Sequence, residues 1–432
     1  MRNNFEVDCS KLFFCLMLMF GVLSIFLSFP LSNGDEGYHL SKSYQYFTQS
    51  SPEEMSESRL RNIELNVIKQ NRVENDFSIK EFFYHKLDGV EKDRFKLNIL
   101  FNDSIFIRLD IAHLIPALGV LLGRAIYPSY GVMMLFGRLF NLLFFCICFS
   151  FLLKVSKIGK WNLILLFTVP FMQKMASLSY DVFCYVICCA FLIELLNFLK
   201  NNTEHKKTSV HSLIICSILL LFCKKNYIIL LGCWGIILLK KIESKQVRIY
   251  IYILTLVSFL LFISILSFFH SFDLINYLKV FVNSYLNPVT MQRRGFQLFS
   301  VVSPVLPDIY NILWFIALTI VLLGEKNFYW GKTVSFTLPI IFFANWLLIY
   351  TGFYFILNQP KTAFDDLSGR YLYPFLLCFL PIAQQFSFIN GIVIKEKYLK
   401  MISIGMVVFI YASYLIMIFY RGYIINTTPT WR

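Results

Sequence analysis

Apolar residues in this chain fall in long runs separated by short polar breaks. Runs of membrane-spanning length occur at 11–30, 131–153, 160–178, 181–199, 209–223, 226–241, 248–269, 305–323, 333–355, 371–389 and 399–420. They predict an all-α polytopic membrane protein of about eleven transmembrane helices, forming one integral membrane domain over residues 1–432. A further apolar run at 111–127 is interrupted by His113, Pro116 and Arg124, and is expected to lie in the interface or dip into it rather than count as a span.

The longest polar stretch is residues 31–130, between the first two runs. Within it, 53–70 places Met55, Leu60, Ile63, Val67 and Ile68 at near-helical spacing among charges. That pattern predicts one or two amphipathic helices resting on the membrane face. The first run carries few charges and no small-residue cleavage site before Asp35, so it is expected to be an uncleaved signal anchor.

Composition agrees with the pattern. The chain is 57% apolar and 15% charged, where a soluble domain carries roughly a quarter charged residues. Net charge is +14, yet residues 31–109 hold 13 acids against 11 bases. Basic residues concentrate instead in the breaks at 154–160, 200–207, 240–248, 325–332 and 395–400. These are alternate loops, which places them and the amino terminus in the cytoplasm and the carboxyl terminus outside it. Such a distribution argues against a nucleic-acid footprint. The eleven cysteines sit within or at the edges of apolar runs, with neither a disulfide framework nor metal-ligand spacing.

This topology brings a set of charges to the extracytoplasmic ends of the runs: Asp35 and Glu36 with His39 nearby, Asp181, the pair Lys224 and Lys225, and Asp365, Asp366 and Arg370. Apart from Glu194, the spans are expected to hold almost no charge. Carboxylates beside cations at a membrane mouth suit sugar transfer from a polyprenyl phosphate. A base takes the proton of the attacking hydroxyl, and cations stabilise the departing phosphate. Arg grips such a group with a fork, Lys as a point charge.

Asp35-Glu36-Gly37-Tyr38-His39, Ser179-Tyr180-Asp181, Lys224-Lys225-Asn226-Tyr227 and Gly369-Arg370-Tyr371-Leu372-Tyr373-Pro374 together resemble landmarks of a bacterial membrane family, domain of unknown function 2142. That family is grouped with the GT-C glycosyltransferases. The stretch 112–124 and Gly137-Arg138-Leu139-Phe140-Asn141 also look like its pattern, so the resemblance covers nearly the whole chain in order. Two departures stand out. Gly37 occupies a position usually held by proline, which is expected to loosen the acidic turn, and the glutamine expected before Gly369 is missing.

The resemblance implies a GT-C-like fold in the bacterial plasma membrane, with a long helical first extracytoplasmic loop that carries the catalytic base. It implies an inverting transfer from a polyprenyl-phosphate sugar donor to a cell-envelope glycan or lipid acceptor. Some related enzymes use a divalent cation at the loop carboxylates and others do not. On this basis Asp35 and Glu36 are the catalytic candidates, and His39, Asp181, Lys224, Lys225 and Arg370 the substrate-binding ones.

Each residue also has a structural explanation. Asp35 and Glu36 can cap a helix or pair with Lys or Arg, and Asp181 suits a first helical turn. His39 can be a hydrogen-bonded interfacial histidine, and the lysines can snorkel. Arg370 can pair with Asp365 or Asp366, while Arg293 and Arg294 suit a solvated charge pair. A lipid-linked saccharide transporter or flippase, and a polysaccharide polymerase or ligase, are the alternative functions.

Overall fold

The computed structural model describes residues 8–69, 79–102, 108–200, 206–241, 273–285, 305–325, 330–362, 369–385 and 394–425. The run at 248–269, and the candidates Arg293, Arg294, Asp365 and Asp366, lie outside these residues. Five helices are long and apolar enough to cross a membrane: Cys9–Leu27 (α1), Tyr130–Val155, Asp181–Lys200, Lys332–Ile356 and Glu396–Ile424. Eleven full spans are therefore not established. Six more apolar segments are shorter helices, Leu114–Ile126, Trp161–Phe171, Val210–Leu220, Lys225–Ile237, Ile309–Gly324 and Tyr373–Gln384.

The shortening has local causes. The run at 160–178 forms a helix only over Trp161–Thr168 (α8), then tightens into a 3-10 turn carrying Pro170. Pro374 and Pro381 divide 371–389 into a 3-10 segment, Tyr373–Phe379, and a short helix, Leu380–Gln385. Proline removes a helical N–H and clashes with the preceding turn, which favours such breaks. A third 3-10 segment, Lys225–Cys233, follows the lysine pair.

Within residues 31–130, Glu36–Gln45 (α2), Glu57–Lys69 (α3), Ile79–Tyr84 (α4) and Asp88–Lys92 (α5) fold into a cap whose core also takes in Val120, Met133, Met134 and Leu178. Leu40, Tyr44, Met55, Leu60, Val67, Phe82 and Val90 are buried there together. The apolar stripe of 53–70 thus packs largely against the protein, with Ile63 partly buried against the same core. A two-residue antiparallel pair, Phe101–Asn102 (β1) with Arg108–Leu109 (β2), precedes Leu114–Ile126 (α6).

Helix α6 is about 20 Å long at 1.5 Å per residue, too short to span. It lies against the first half of Tyr130–Val155 (α7). A Cβ at Gly119 would come within 2.3 Å of the Phe136 carbonyl, and one at Gly123 within 2.8 Å of Met133 Cα. Two glycines four residues apart let the backbones touch, as small residues do in membrane helix pairs.

Arg124, near the end of α6, ties the cap together. It donates to the Phe47 carbonyl, pairs with Asp93 at 3.2 Å and stacks over Tyr44 and Phe95. Burial pushes the Asp93 carboxyl upward, but hydrogen bonds from Thr48, Tyr44 and Ser50 outweigh it and hold the group well below its ordinary range.

Candidate functional site

The site forms where α1 ends and the cap begins. The chain turns sharply there, with Leu31, Gly34 and Asp35 all at positive φ. Asp tolerates the left-handed region better than most residues, and such strained positions persist where the surroundings fix them. Asp35 opens α2 with its side chain about half exposed, 47%.

Glu36, one residue on, is fully buried and gripped by Arg138 of α7. Arg138 Nε donates to Glu36 Oε1 at 2.8 Å and Nη2 to Oε2 at 2.6 Å. The remaining donors reach the carbonyls of Ile25, Ser28 and Phe29. The pair nails the end of α1 and the start of α2 to α7, so Glu36 holds the acidic turn in place. Three residues further along α7, Asn141 donates to the carbonyls of Ser177 and Ser179, fixing the turn that delivers Asp181. Both functional landmarks are thus aimed by the Gly137–Asn141 segment.

Gly37 does not loosen this turn. A Cβ there would sit 2.8 Å from the Leu60 carbonyl, so glycine lets α2 approach α3 closely. Its N–H also donates to Glu64 Oε2 at 3.1 Å, a bond proline could not make. Burial pushes the Glu64 carboxyl up to about 7. Glu64 therefore holds its proton more tightly folded than unfolded, and the fold loses stability as pH rises from about 4.5 to about 7. Glu64→Gln keeps the acceptor and removes the charge. It is expected to stabilise the protein by about 1 kcal/mol at pH 8 and to change little in mild acid, near the ordinary carboxylate range, as followed by thermal unfolding. Equal melting temperatures at pH 8 would contradict this account.

Asp181, at the start of Asp181–Lys200 (α9), is buried and paired with Lys224 at 2.6 Å. The Lys224 ammonium also lies 4.1 Å from the Tyr371 ring centroid and 5.4 Å from that of Tyr180. Arg370 also lies against Tyr371, its guanidinium carbon 5.3 Å from the ring centroid and its Nη2 3.4 Å from Asp35. Arg61 of α3 approaches Asp35 from the cap at 4.0 Å. Asn226 steadies the Tyr371 backbone through Asn345. Lys225 is exposed and does not join the cluster.

Sequence patterns had pointed to almost no charge inside the runs besides Glu194. Two buried cations overturn that: Arg138 within 131–153 and Lys174 within 160–178. Lys174 interacts electrostatically with Arg370, Asp181, Asp35 and Lys224, adding a third cation to the cluster. The signal was a lone basic residue inside an apolar run, where charge is costly without a partner or a task.

His39, at the end of the first turn of α2, is buried. Its Nδ1 lies 2.9 Å from His113 Nε2, and burial holds its imidazole well below the ordinary histidine range. Among the described residues, no three His, Cys, Asp or Glu side chains are grouped so as to hold a metal ion. Each acid of the site already faces a cation of the protein: Asp181 has Lys224, Glu36 has Arg138, and Asp35 has Arg370 and Arg61. These residues do not fit the divalent cation that the resemblance allows, and no step below uses one.

The cluster therefore presents three cations, Lys174, Lys224 and Arg370, to two carboxylates at one end of an apolar bundle. A comparison with curated proteins and with solved structures finds no match. A family model described as predicted membrane protein, domain of unknown function 2142, matches residues 18–379, which contain every residue of the cluster. The chain belongs to that family.

Proposed function

We propose that this protein is a membrane glycosyltransferase of GT-C type, working on the extracytoplasmic face of the bacterial plasma membrane. It would move a sugar from a polyprenyl-phosphate donor to a cell-envelope glycan or lipid acceptor. The observation that carries the reading is the gathering of Lys174, Lys224 and Arg370 beside Asp181 and the half-exposed Asp35 at one end of an apolar bundle.

The apolar helices suit a prenyl tail, while Lys224 and Arg370 suit its phosphate. As the anomeric carbon–oxygen bond breaks, charge grows on that phosphate and the buried cations stabilise it. Asp35 takes the proton of the acceptor hydroxyl as its oxygen attacks the opposite face of the sugar, which inverts the anomeric centre. Asp181 holds Lys224 in position and lowers the cost of burying it.

One observation favours a second reading. The 3-10 segments Lys225–Cys233 and Tyr373–Phe379 interrupt apolar runs beside the site, as broken helices do in transporters. Deleting the protein separates the two. The transferase reading expects envelope polysaccharide lacking one sugar branch, measured by mass, with its lipid-linked donor still reaching the outer leaflet. Donor trapped on the inner leaflet would support a flippase, and an unchanged glycan would sink both.

A further inference from the structure

One group of titratable side chains is not used by this mechanism. Asp110, His113 and His39 form a buried hydrogen-bonded chain. His113 Nδ1 lies 2.8 and 2.9 Å from the two Asp110 oxygens, and His113 Nε2 lies 2.9 Å from His39 Nδ1. A carboxylate only accepts, so the proton belongs on His113 Nδ1. With His113 neutral, its Nε2 is a lone pair and accepts from His39 Nδ1–H. The assignment propagates one step more: His39 Nε2 is left as a lone pair, an acceptor and not a donor. Among the described residues no hydrogen bond is formed by that nitrogen.

His39 also borders the cation cluster. Its ring packs against Tyr180 at 5.3 Å and against Tyr38 and His113. The charged groups acting on it are Lys174 from the turn before α9, Asp181 of α9 and Arg370, with His113 behind it. Lys174, Lys224 and Arg370 can only donate, and Asp181 already accepts from Lys224. A sugar is covered with hydroxyl donors, which need acceptors at this spot.

We propose that His39 Nε2 accepts a hydrogen bond from a hydroxyl of the transferred sugar, with Asp110 and His113 as positioning residues that fix its tautomer. The proposal rests on the glycosyl-transfer reading. It names the part of the donor that this wall of the site recognises. Burial keeps the imidazole neutral, so the acceptor survives in mild acid. A buried acceptor of this kind discriminates strongly against a sugar lacking the matching hydroxyl, because its lone pair would go unpaired.

The test uses the full-length protein in lipid nanodiscs with its six histidines labelled with nitrogen-15. Ring-nitrogen shifts separate protonated from lone-pair positions without turnover. His39, assigned by the signal lost in His39→Asn, is expected to carry its proton on Nδ1, and Asp110→Asn is expected to release it from that tautomer. Polyprenyl-phosphate glucose, galactose and mannose are then added separately, with polyprenyl phosphate as control. At least one sugar donor is expected to move the Nε2 signal, and the control is not.

An Nε2–H tautomer in the wild type would overturn the proposal. So would a shift caused by polyprenyl phosphate alone, or no shift with any donor. Where transfer is measurable, His39→Asn keeps a donor toward His113 and is expected to raise KM for the donor about tenfold or more, with kcat retained. A loss confined to kcat would assign His39 to proton transfer and overturn its binding role. Lack of transfer by the wild type would count against the glycosyltransferase reading instead, since the tautomer is read without catalysis.

Discussion

Asp35→Asn is expected to lower transfer by about 10²–10⁴-fold, the range for losing a general base, while the protein accumulates in the membrane at its normal level. The separation of activity from folding follows from the surroundings. The Asp35 side chain is half exposed, and its contacts with Arg370 and Arg61 are 3.4 and 4.0 Å long. Exposed pairs of that kind contribute at most about 1 kcal/mol. Asparagine matches the shape and tolerates the same left-handed backbone, so the turn at φ 59° survives. What disappears is the ability to take a proton. Membrane fractions probed for the protein, alongside mass analysis of the glycan, check both halves. Wild-type glycan made by the variant would remove Asp35 from the mechanism.

Glu36→Ala should behave in the opposite way, failing at folding before chemistry is reached. Its carboxylate is fully buried and answers Arg138, whose five N–H groups are all committed to Glu36 and to the three carbonyls at the end of α1. Removing one partner of such a pair leaves an uncompensated buried charge, typically a loss of about 3–5 kcal/mol. The variant is expected to vanish from the membrane or to melt far below the wild type. Glu36→Ala combined with Arg138→Leu removes both charges and is expected to recover part of the loss. A Glu36→Ala protein that is stable and only inactive would restore Glu36 as a reacting group.

The amino-acid order made the membrane character and most of the candidate site legible, since hydropathy and isolated charges are local signals. Asp35, Asp181, Lys224 and Arg370 each stand at the edge of an apolar run, and the fold brings them to one mouth. Partners set by distant packing were not legible. His39 and His113 are separated by 74 residues and meet only because α2 lies beside α6. Arg138 and Glu36 are 102 residues apart. Eleven full spans are not established, because periodicity does not register where prolines and a lysine pair convert a run into 3-10 turns. Similarly, an amphipathic stripe such as 53–70 looks the same whether it meets lipid or, as here, another part of the chain.

Helix α1 has 19 residues and α7 has 26, lengths of about 29 and 39 Å at 1.5 Å rise. Arg138 meets the end of α1 eight residues after α7 begins, so α7 continues about 12 Å past the point where α1 stops and the acidic turn begins. Asp35 consequently sits beside the first half of α7 rather than beyond its end, with the cap packed against that same half. On the proposed reading, a prenyl-bound substrate would meet the site at the flank of α7 without leaving its leaflet. Delivery would then be a two-dimensional search within the membrane, in which only the head of the donor changes surroundings.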